Sequence, residues 1–194
     1  MADKEKKTGV LGTVVFVILL AAVVIGVYLT LNRNDDNGKL EADVEISEVN
    51  TLMSRDLTTD YPATAREVMK LYCRITQCLY SEELEDDEIA ALVDQIRALY
   101  ADDLLAENDR DTMLGLARGE IKHYRSNNMV INSYNVAESA EIVYYRTSKP
   151  YRAVINIYFT VKQDTAFTRA YEEFVLVEGD DGRWKILGWR QTEE

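Results

Sequence analysis

The side chains best suited to acid–base chemistry in this chain include a single histidine. His123 is the only histidine and follows Glu120 by three residues. A Glu-x-x-His spacing forms half of a di-iron carboxylate site, but such a site needs two copies and two further glutamates. Because the chain has no second histidine, we exclude a di-iron site. We expect a contact between Glu120 and His123 that closes a helix end rather than a catalytic pair.

A pair of adjacent carboxylates, Glu172 and Glu173, lies in a segment that reads as a strand. Successive side chains of a strand point to opposite faces, so one of the two must face the covered side of a sheet. Burial raises the pKa of a carboxyl group toward neutrality, as a general acid or base requires. We assign no catalytic residue, and Glu172 and His123 are the two candidates for acid–base chemistry in a cup. The simpler interpretation of Glu172 is structural: a bulge, a position at the open rim, or an ion pair.

The two cysteines, Cys73 and Cys78, are five residues apart, which is roughly 140° around a helix. Their Cα atoms would lie beyond the ~7 Å that a disulfide tolerates, so we predict two reduced, half-buried thiols. Two cysteines and one histidine do not match the spacings of a zinc site. Gly-rich phosphate loops, nucleophile elbows, His-Glu-x-x-His motifs and calcium loops are also missing from the sequence. We therefore predict no cofactor and no metal, and most hydrolases and nucleotide-dependent enzymes are disfavoured.

Residues 9–31 form a run of 23 residues without a charge. At about 1.5 Å per residue, a helix of this length spans roughly the 30 Å hydrocarbon core of a bilayer. Three lysines precede the run, whereas Arg33 and Lys39 follow it, which predicts that residues 1–8 are cytoplasmic and that the rest is exported. A cleaved signal peptide would have a shorter apolar core and a small-x-small site. We therefore predict a single-pass anchor in the cell membrane that contacts lipid through residues 9–31.

The acidic charge of the chain lies beyond this anchor. Residues 1–38 are neutral, so the net charge of −12 belongs to the remainder. Such a domain repels phosphate backbones and anionic headgroups, which argues against nucleic-acid binding. Residues 32–57 read as an acidic tether that contains a short helix, and residues 58–194 have the length of one ordinary domain.

The periodicity of apolar residues predicts an α+β domain in which three helices cover one face of a curved antiparallel sheet of four to five strands. The first helix begins near a capping box formed by Thr64 and Glu67. The second helix covers about residues 87–105, and the third about 112–125. After residue 128 the period changes from 3.6 to 2. The predicted strands are 129–137, 140–147, 151–163, 167–178 and 183–191, arranged as a meander.

This order of elements, with its closing segment GDDGRWKILGW (179–189), resembles the nuclear-transport-factor-2-like (cystatin-like) superfamily, whose domains are cone-shaped. Residues 60–72 (DYPATAREVMKLY) also resemble an uncharacterised family of membrane-anchored bacterial proteins, chiefly Gram-positive. The resemblance covers roughly residues 45–191. It implies a concave, helix-covered cup, where enzymes of the superfamily place an acidic residue or a histidine. If the third and fourth strands pair through a two-residue turn at 164–165, Glu172 faces that cup.

Three functions remain open, because this superfamily includes isomerases, dehydratases, transport factors and assembly domains. The favoured one is a membrane-tethered, extracytoplasmic binding or assembly module without catalytic activity. The first alternative is a small-molecule enzyme of dehydratase or isomerase type that uses Glu172 and His123 in the cup. The second is a scaffold subunit of a secretion or conjugation machine. Neither the residues nor the resemblance identifies a ligand.

The same register predicts an apolar and aromatic patch on the sheet face that points away from the helices. Such a patch commonly marks a partner surface. We expect it to be covered by a second copy in a two-fold dimer, by another membrane or envelope protein, or by residues 40–57 of the same chain. The patch consists of Val154, Tyr158, Tyr171, Val175 and Val177.

Overall fold

The structure, a computed structural model, describes residues 47–193. Within this range five helices precede five strands, and the fold is α+β as predicted. The helices are α1 (Glu48–Met53), α2 (Ala65–Ser81), α3 (Asp86–Ala98), α4 (Asp102–Glu107) and α5 (Arg110–Ser126). The strands are β1 (Met129–Val136), β2 (Val143–Tyr145), β3 (Arg152–Gln163), β4 (Ala166–Glu178) and β5 (Trp184–Thr192).

None of the helices between residues 47 and 193 combines the length and the hydropathy needed to cross a membrane. The predicted anchor at 9–31 and the cytoplasmic segment at 1–8 lie outside the described residues, as does the first part of the tether. The short helix predicted within the tether is α1, whose Val49 and Leu52 are buried.

The central helix, α2, begins at the capping box that the sequence predicts. Thr64 Oγ1 accepts a hydrogen bond from the Glu67 amide at 3.2 Å, and Glu67 Oε2 accepts one from the Thr64 amide at 3.1 Å. These two bonds satisfy amide groups that have no partner inside the helix. The face that α2 turns toward the sheet is fully covered and includes Ala65, Val68, Met69, Tyr72, Ile75 and Leu79.

The prediction of one helix over residues 87–105 is wrong. The chain leaves the helix after α3 and re-enters it at α4. Between the two, the Ala101 amide donates to the Ile186 carbonyl at 2.8 Å, and the Ile186 amide donates to the Leu99 carbonyl at 2.8 Å. These bonds form a short parallel bridge centred on Tyr100 along the edge of β5. Periodicity could not reveal this break, because Leu99 and Tyr100 are apolar enough to be buried in either conformation.

The sheet has the order β1-β3-β4-β5, and β2 pairs with the same edge of β3 as β1 does. The predicted meander is therefore wrong at its start, because β1 and β2 are neighbours of β3 rather than of each other. The predicted strand at 140–147 is also shorter than expected, since only Val143–Tyr145 pairs with β3. Register shifts at Ile131/Ser133 and at Val175/Leu176 are irregularities of the kind that bend and twist a sheet.

The long β3–β4 hairpin sets which side chains meet the helices. Gln163 lies opposite Ala166 across a two-residue turn, and Asp164 adopts the left-handed conformation with φ of 52°. This register is the one the sequence predicts. It directs one set of alternating side chains under the helices, where they form the core: Ala153, Ile155, Ile157, Phe159, Val161, Ala170, Phe174 and Leu176.

Candidate functional site

The carboxyl group of Glu172 lies on the helix-covered side of the sheet, which we call the cup. Glu172 pairs with Ile157 of β3, and only 2% of its surface is exposed to solvent. Its neighbours on the same face of β4 are Ala170 and Phe174, both buried. The alternation of β4 therefore places this carboxylate among apolar side chains, as the predicted register requires.

A small cavity of about 30 Å³ opens onto Glu172. We call it the cup cavity. Its walls come from α2, α3, α5 and β5 and from Tyr100 between α3 and α4, and most of them are aromatic or apolar. The lining side chains are Tyr72, Thr76, Leu79, Tyr80, Val93, Ile96, Tyr100, Met113, Ala117, Glu172 and Trp189. Trp189 stacks on Phe174 with 5.5 Å between ring centroids, so the cup is filled by its own side chains.

A second carboxyl group, that of Glu120, is buried beneath the helices. The sequence had placed it at a helix end beside His123 and not in the cup. Glu120 is 7% exposed, and the Tyr80 hydroxyl donates to its Oε2 at 2.5 Å. The ring of Tyr80 also packs against that of Tyr124 at 4.7 Å. A signal was present: Met113, Ala117, Glu120 and Tyr124 follow one another at spacings of four, three and four, which places all four on one face of a helix.

Burial changes the acidity of both carboxyl groups. Desolvation raises the pKa of Glu172 to about 7. It raises the pKa of Glu120 to about 8, where the charge of Glu172 adds to the rise and the hydrogen bond from Tyr80 opposes it. Burial also raises the pKa of Tyr80 and Tyr72 well above the ordinary value, so both phenols stay neutral. Near neutral pH the cup therefore contains two acids close to their titration points.

One oxygen of this cluster lacks a partner. Oε2 of Glu172 is buried and has no hydrogen-bond partner among the described residues, and the same holds for the hydroxyl of Tyr124. The residues that line the cup cavity include no lysine, arginine or histidine. A buried carboxylate oxygen without a donor is unfavourable, so the group is either protonated or paired with something that the side chains do not supply.

His123 does not join the cup. Its side chain is exposed on α5, and Nδ1 lies 3.2 Å from Nδ2 of Asn127. The expected contact between Glu120 and His123 is wrong as well, because Glu120 points inward to Tyr80. Asn127 closes the end of the helix instead, with its amide and its side chain both donating to the His123 carbonyl. His123 lies about 100° around the helix from Tyr124, on the far side of Glu120, and this rotation moves it off the buried face of α5.

The two cysteines lie in α2 as free, buried thiols. Burial raises the pKa of Cys73 well above the ordinary thiol value and that of Cys78 to about 11. Both are therefore protonated and poorly nucleophilic at neutral pH. Among residues 47–193, no cluster of three or more histidine, cysteine, aspartate or glutamate side chains is arranged to hold a metal ion.

The outer face of the sheet carries the predicted patch, and its five residues are half-buried: Val154, Tyr158, Tyr171, Val175 and Val177. Tyr158 pairs with Tyr171, with 5.5 Å between ring centroids. Val143 and Tyr145 of β2 extend the patch and are 51% and 56% exposed.

Basic side chains surround this patch, a property that the strand pattern alone does not reveal. The outward positions of β3 to β5 carry Arg152, Lys162, Arg169 and Arg190, against the single carboxylate of Glu173. Arg190 pairs with Glu173 at 2.7 Å. The guanidinium of Arg169 lies over the Tyr158 ring, 4.9 Å from its centroid. The outer face is thus locally basic, although the chain as a whole carries a net charge of −12.

Comparison with known proteins places the chain in one family. No curated protein matches the sequence. Residues 1–189 match the family described as Domain of unknown function (DUF6715), a match that includes the charge-free run, the helices and nearly all of the sheet. The protein is therefore a member of the DUF6715 family.

Proposed function

We propose that this protein is a non-catalytic binding or assembly module, held at the outer surface of the cell membrane by residues 9–31. The charge-free run and the three lysines before it support the anchor and its orientation. Helices on one face of a curved antiparallel sheet support a cone-shaped domain of the nuclear-transport-factor-2-like (cystatin-like) type.

The observation that carries this proposal is the filled cup. Sites for small organic molecules are typically about 300–1,000 Å³ in volume. The cup cavity measures about 30 Å³, because Tyr72, Tyr80, Tyr100 and Trp189 occupy the space beneath the helices. An organic substrate does not fit without displacing several of these rings, so binding at the surface is the better-supported activity.

The outer face is the surface best suited to a partner, and its charge indicates the kind of partner. A two-fold dimer through this face would bring Arg152 and Lys162 of one copy toward the basic outer face of the other, and such like-charge contacts are unfavourable. An acidic surface on another membrane or envelope protein would complement them. The exposed rings of Tyr145 and Phe167 would add apolar contact area. We therefore assign the outer face to an acidic protein partner.

Photocrosslinking in intact cells tests this assignment. A benzophenone amino acid replaces Tyr171 on the outer face, or Lys122 on the exposed side of α5 as the matched control, in the full chain. We expect a crosslink at position 171 only, to an acid-rich protein segment, and we expect Arg152→Glu with Lys162→Glu to reduce it at least tenfold. A crosslink to a second copy of this chain, a crosslink to lipid, or equal products at both positions would each contradict the acidic partner.

The two buried carboxyl groups favour a second candidate, a small-molecule enzyme of dehydratase or isomerase type. Glu172 and Glu120 have the near-neutral pKa values that proton transfer requires. This function needs the cup to open, with Trp189 and Met113 moving aside. To test it, the full chain is titrated with organic fragments of about ten non-hydrogen atoms, and the NMR signals of Trp189 report binding. Fragment binding that Glu172→Gln abolishes would support the enzyme and contradict the filled cup.

A further inference from the structure

The unpartnered oxygen of Glu172 and the cup cavity form a site that the proposed function does not use. Glu172 is 2% exposed, its Oε2 has no hydrogen-bond partner among the described residues, and the side chain lines the cavity directly. These facts concern the interior of the domain, so they are independent of what the outer face binds.

The size of the cavity restricts what can enter. One water molecule needs ~10–15 Å³ of cavity volume. The cup cavity, at about 30 Å³, therefore has room for one or two species of that size. The restriction excludes organic molecules, but it admits water and the smaller monovalent cations.

The chemistry of the walls favours a cation. Apart from the indole of Trp189, the polar side chains that line the cavity are a carboxylate and hydroxyl groups, which carry lone pairs for a cation or a donor. Thr76 Oγ1 donates to the Tyr72 carbonyl at 2.9 Å and keeps its own lone pairs. The rings of Tyr100 and Trp189 form further walls, and ring faces attract cations.

We propose that the cup cavity is a binding site for a small monovalent cation, of the size of potassium or ammonium, held by the Glu172 carboxylate beneath Tyr72, Tyr80 and Tyr100. The cation replaces the basic side chain that the walls lack. It stabilises the ionised form of Glu172, whose side chain is shielded from bulk water. Ammonium and potassium share this size and charge. Ammonium donates hydrogen bonds, whereas potassium is coordinated by oxygen atoms.

The groups around Glu172 make cation binding depend on pH. Tyr72 and Tyr80 of α2 and Tyr100 after α3 line the cavity beside Glu172. Besides desolvation, the charge of Glu172 raises the pKa of Cys73 in α2 and of Glu120 and Tyr124 in α5. Burial keeps the thiol and the phenols neutral. The charge of Arg97 opposes the rise in the pKa of Tyr100, but its guanidinium donates to the Asn108 carbonyl at 2.5 Å. The two carboxyl groups are therefore the members that change charge near pH 7. Cation affinity should rise from pH 6 to pH 8 as Glu172 ionises.

Thermal unfolding of the full chain in detergent micelles tests the site. The melting temperature is measured at pH 8 and pH 6 in chlorides of ammonium, potassium, lithium and tetramethylammonium at equal ionic strength. We expect ammonium or potassium to raise the melting temperature by about 2–4 °C over lithium at about five times the Kd, because lithium fits the cavity but is more strongly hydrated and therefore costs more to strip of water. The rise in melting temperature should be smaller at pH 6. If ammonium raises the melting temperature more than potassium does, the bound ion is one that donates hydrogen bonds.

Two variants separate this site from general salt effects. Glu172→Gln keeps the shape of the side chain, removes its charge and should abolish the difference among cations. Glu173→Gln, the next residue on the opposite face of β4, should keep it. Equal melting temperatures in all four salts, or an unchanged preference in Glu172→Gln, would overturn the proposal and leave water as the occupant. A higher melting temperature in tetramethylammonium chloride would contradict the claim that only a small cation fits the cavity.

Discussion

At the scale of single residues, the buried carboxyl groups of Glu120 and Glu172 set how stability depends on pH. The pKa of each is raised in the folded state, from 4.5 to about 8 and about 7, chiefly by desolvation. Between pH 4.5 and these values the unfolded chain has lost protons that the folded chain retains. Folding then binds protons, so the free energy of unfolding falls as pH rises through this range and levels off above it.

We therefore predict that the domain is more stable at pH 5 than at pH 8. The contribution of Glu172 alone is on the order of 3 kcal/mol, since each unit of pKa difference corresponds to about 1.4 kcal/mol. Urea unfolding of the full chain between pH 5 and pH 8 measures the slope. Glu172→Gln should reduce the slope and leave the part that Glu120 contributes, whereas Glu173→Gln should leave the slope unchanged. A stability that increases steadily from pH 5 to pH 8 would contradict the burial of both acids.

The thiols allow a second prediction at this scale. Cys73 is fully buried, Cys78 nearly so, and a raised pKa keeps both in the unreactive thiol form. At pH 8 a thiol reagent should label neither residue in the native chain within the time that it labels both in 6 M guanidinium chloride. Intact mass spectrometry gives the count. A native mass two hydrogens lower, with no label after unfolding, would show a disulfide and contradict a continuous α2.

At the scale of elements, the start of α2 depends on local hydrogen bonds that can be tested separately from the core. Thr64 is exposed and its side chain caps the Glu67 amide. Thr64→Ala should lower stability by about 1 kcal/mol, or about 2–4 °C in melting temperature. Thr64→Ser keeps the capping oxygen and should cost much less. If both variants melt at the same temperature as the natural chain, the cap does not stabilise α2.

The break between α3 and α4 offers a complementary prediction about a tertiary hydrogen bond. The φ angle of Ala101 is −70°, which proline accepts, but its amide donates to the Ile186 carbonyl. Ala101→Pro should therefore destabilise the domain by about 1–2 kcal/mol through the loss of that bond. Ala101→Gly, which retains the amide, is the control. Urea midpoints compare the two, and a proline variant as stable as the natural chain would show that the bridge to β5 contributes nothing.

At the scale of the whole molecule, the orientation across the membrane is the property with the largest functional consequence. The lysines before residues 9–31 predict that the folded domain faces outward. A membrane-impermeant maleimide added to intact cells should label Lys122→Cys, which lies on the exposed side of α5. It should not label Glu5→Cys, and the buried native thiols give a low background. Labelling of residue 5 but not of residue 122 would reverse the orientation.

Much of the fold could be predicted because its signals are local. The capping box at Thr64 and Glu67, the alternation along β3 and the two-residue turn at 164–165 each depend on a few neighbouring residues. The pairing of Glu172 with Ile157 followed from that turn, since a hairpin loop of known length sets the register. The α3–α4 break and the pairing of β1 with β3 were not predicted, because each depends on a strand edge that is not the next one along the chain.

The candidate site was predicted only in part for the same reason. The alternation of β4 places Glu172 beneath the helices, and a helical wheel would have placed Glu120 there too. The hydrogen bond of Glu120 to Tyr80, the exposure of His123 and the filling of the cup depend on how α2, α5 and β5 pack together. No single element carries that information, because side-chain volumes compete for one shared space.

The sequence by itself determined the charge-free run, the acidity of the domain, the α+β class and the faces on which most side chains lie, because periodicity and composition are properties of one segment at a time. The tertiary structure alone decided that the cup is nearly closed, that one carboxylate oxygen in it lacks a partner and that the cations of three strands surround one aromatic patch. Volume, solvation and electrostatic potential are sums over elements that meet only in the folded chain.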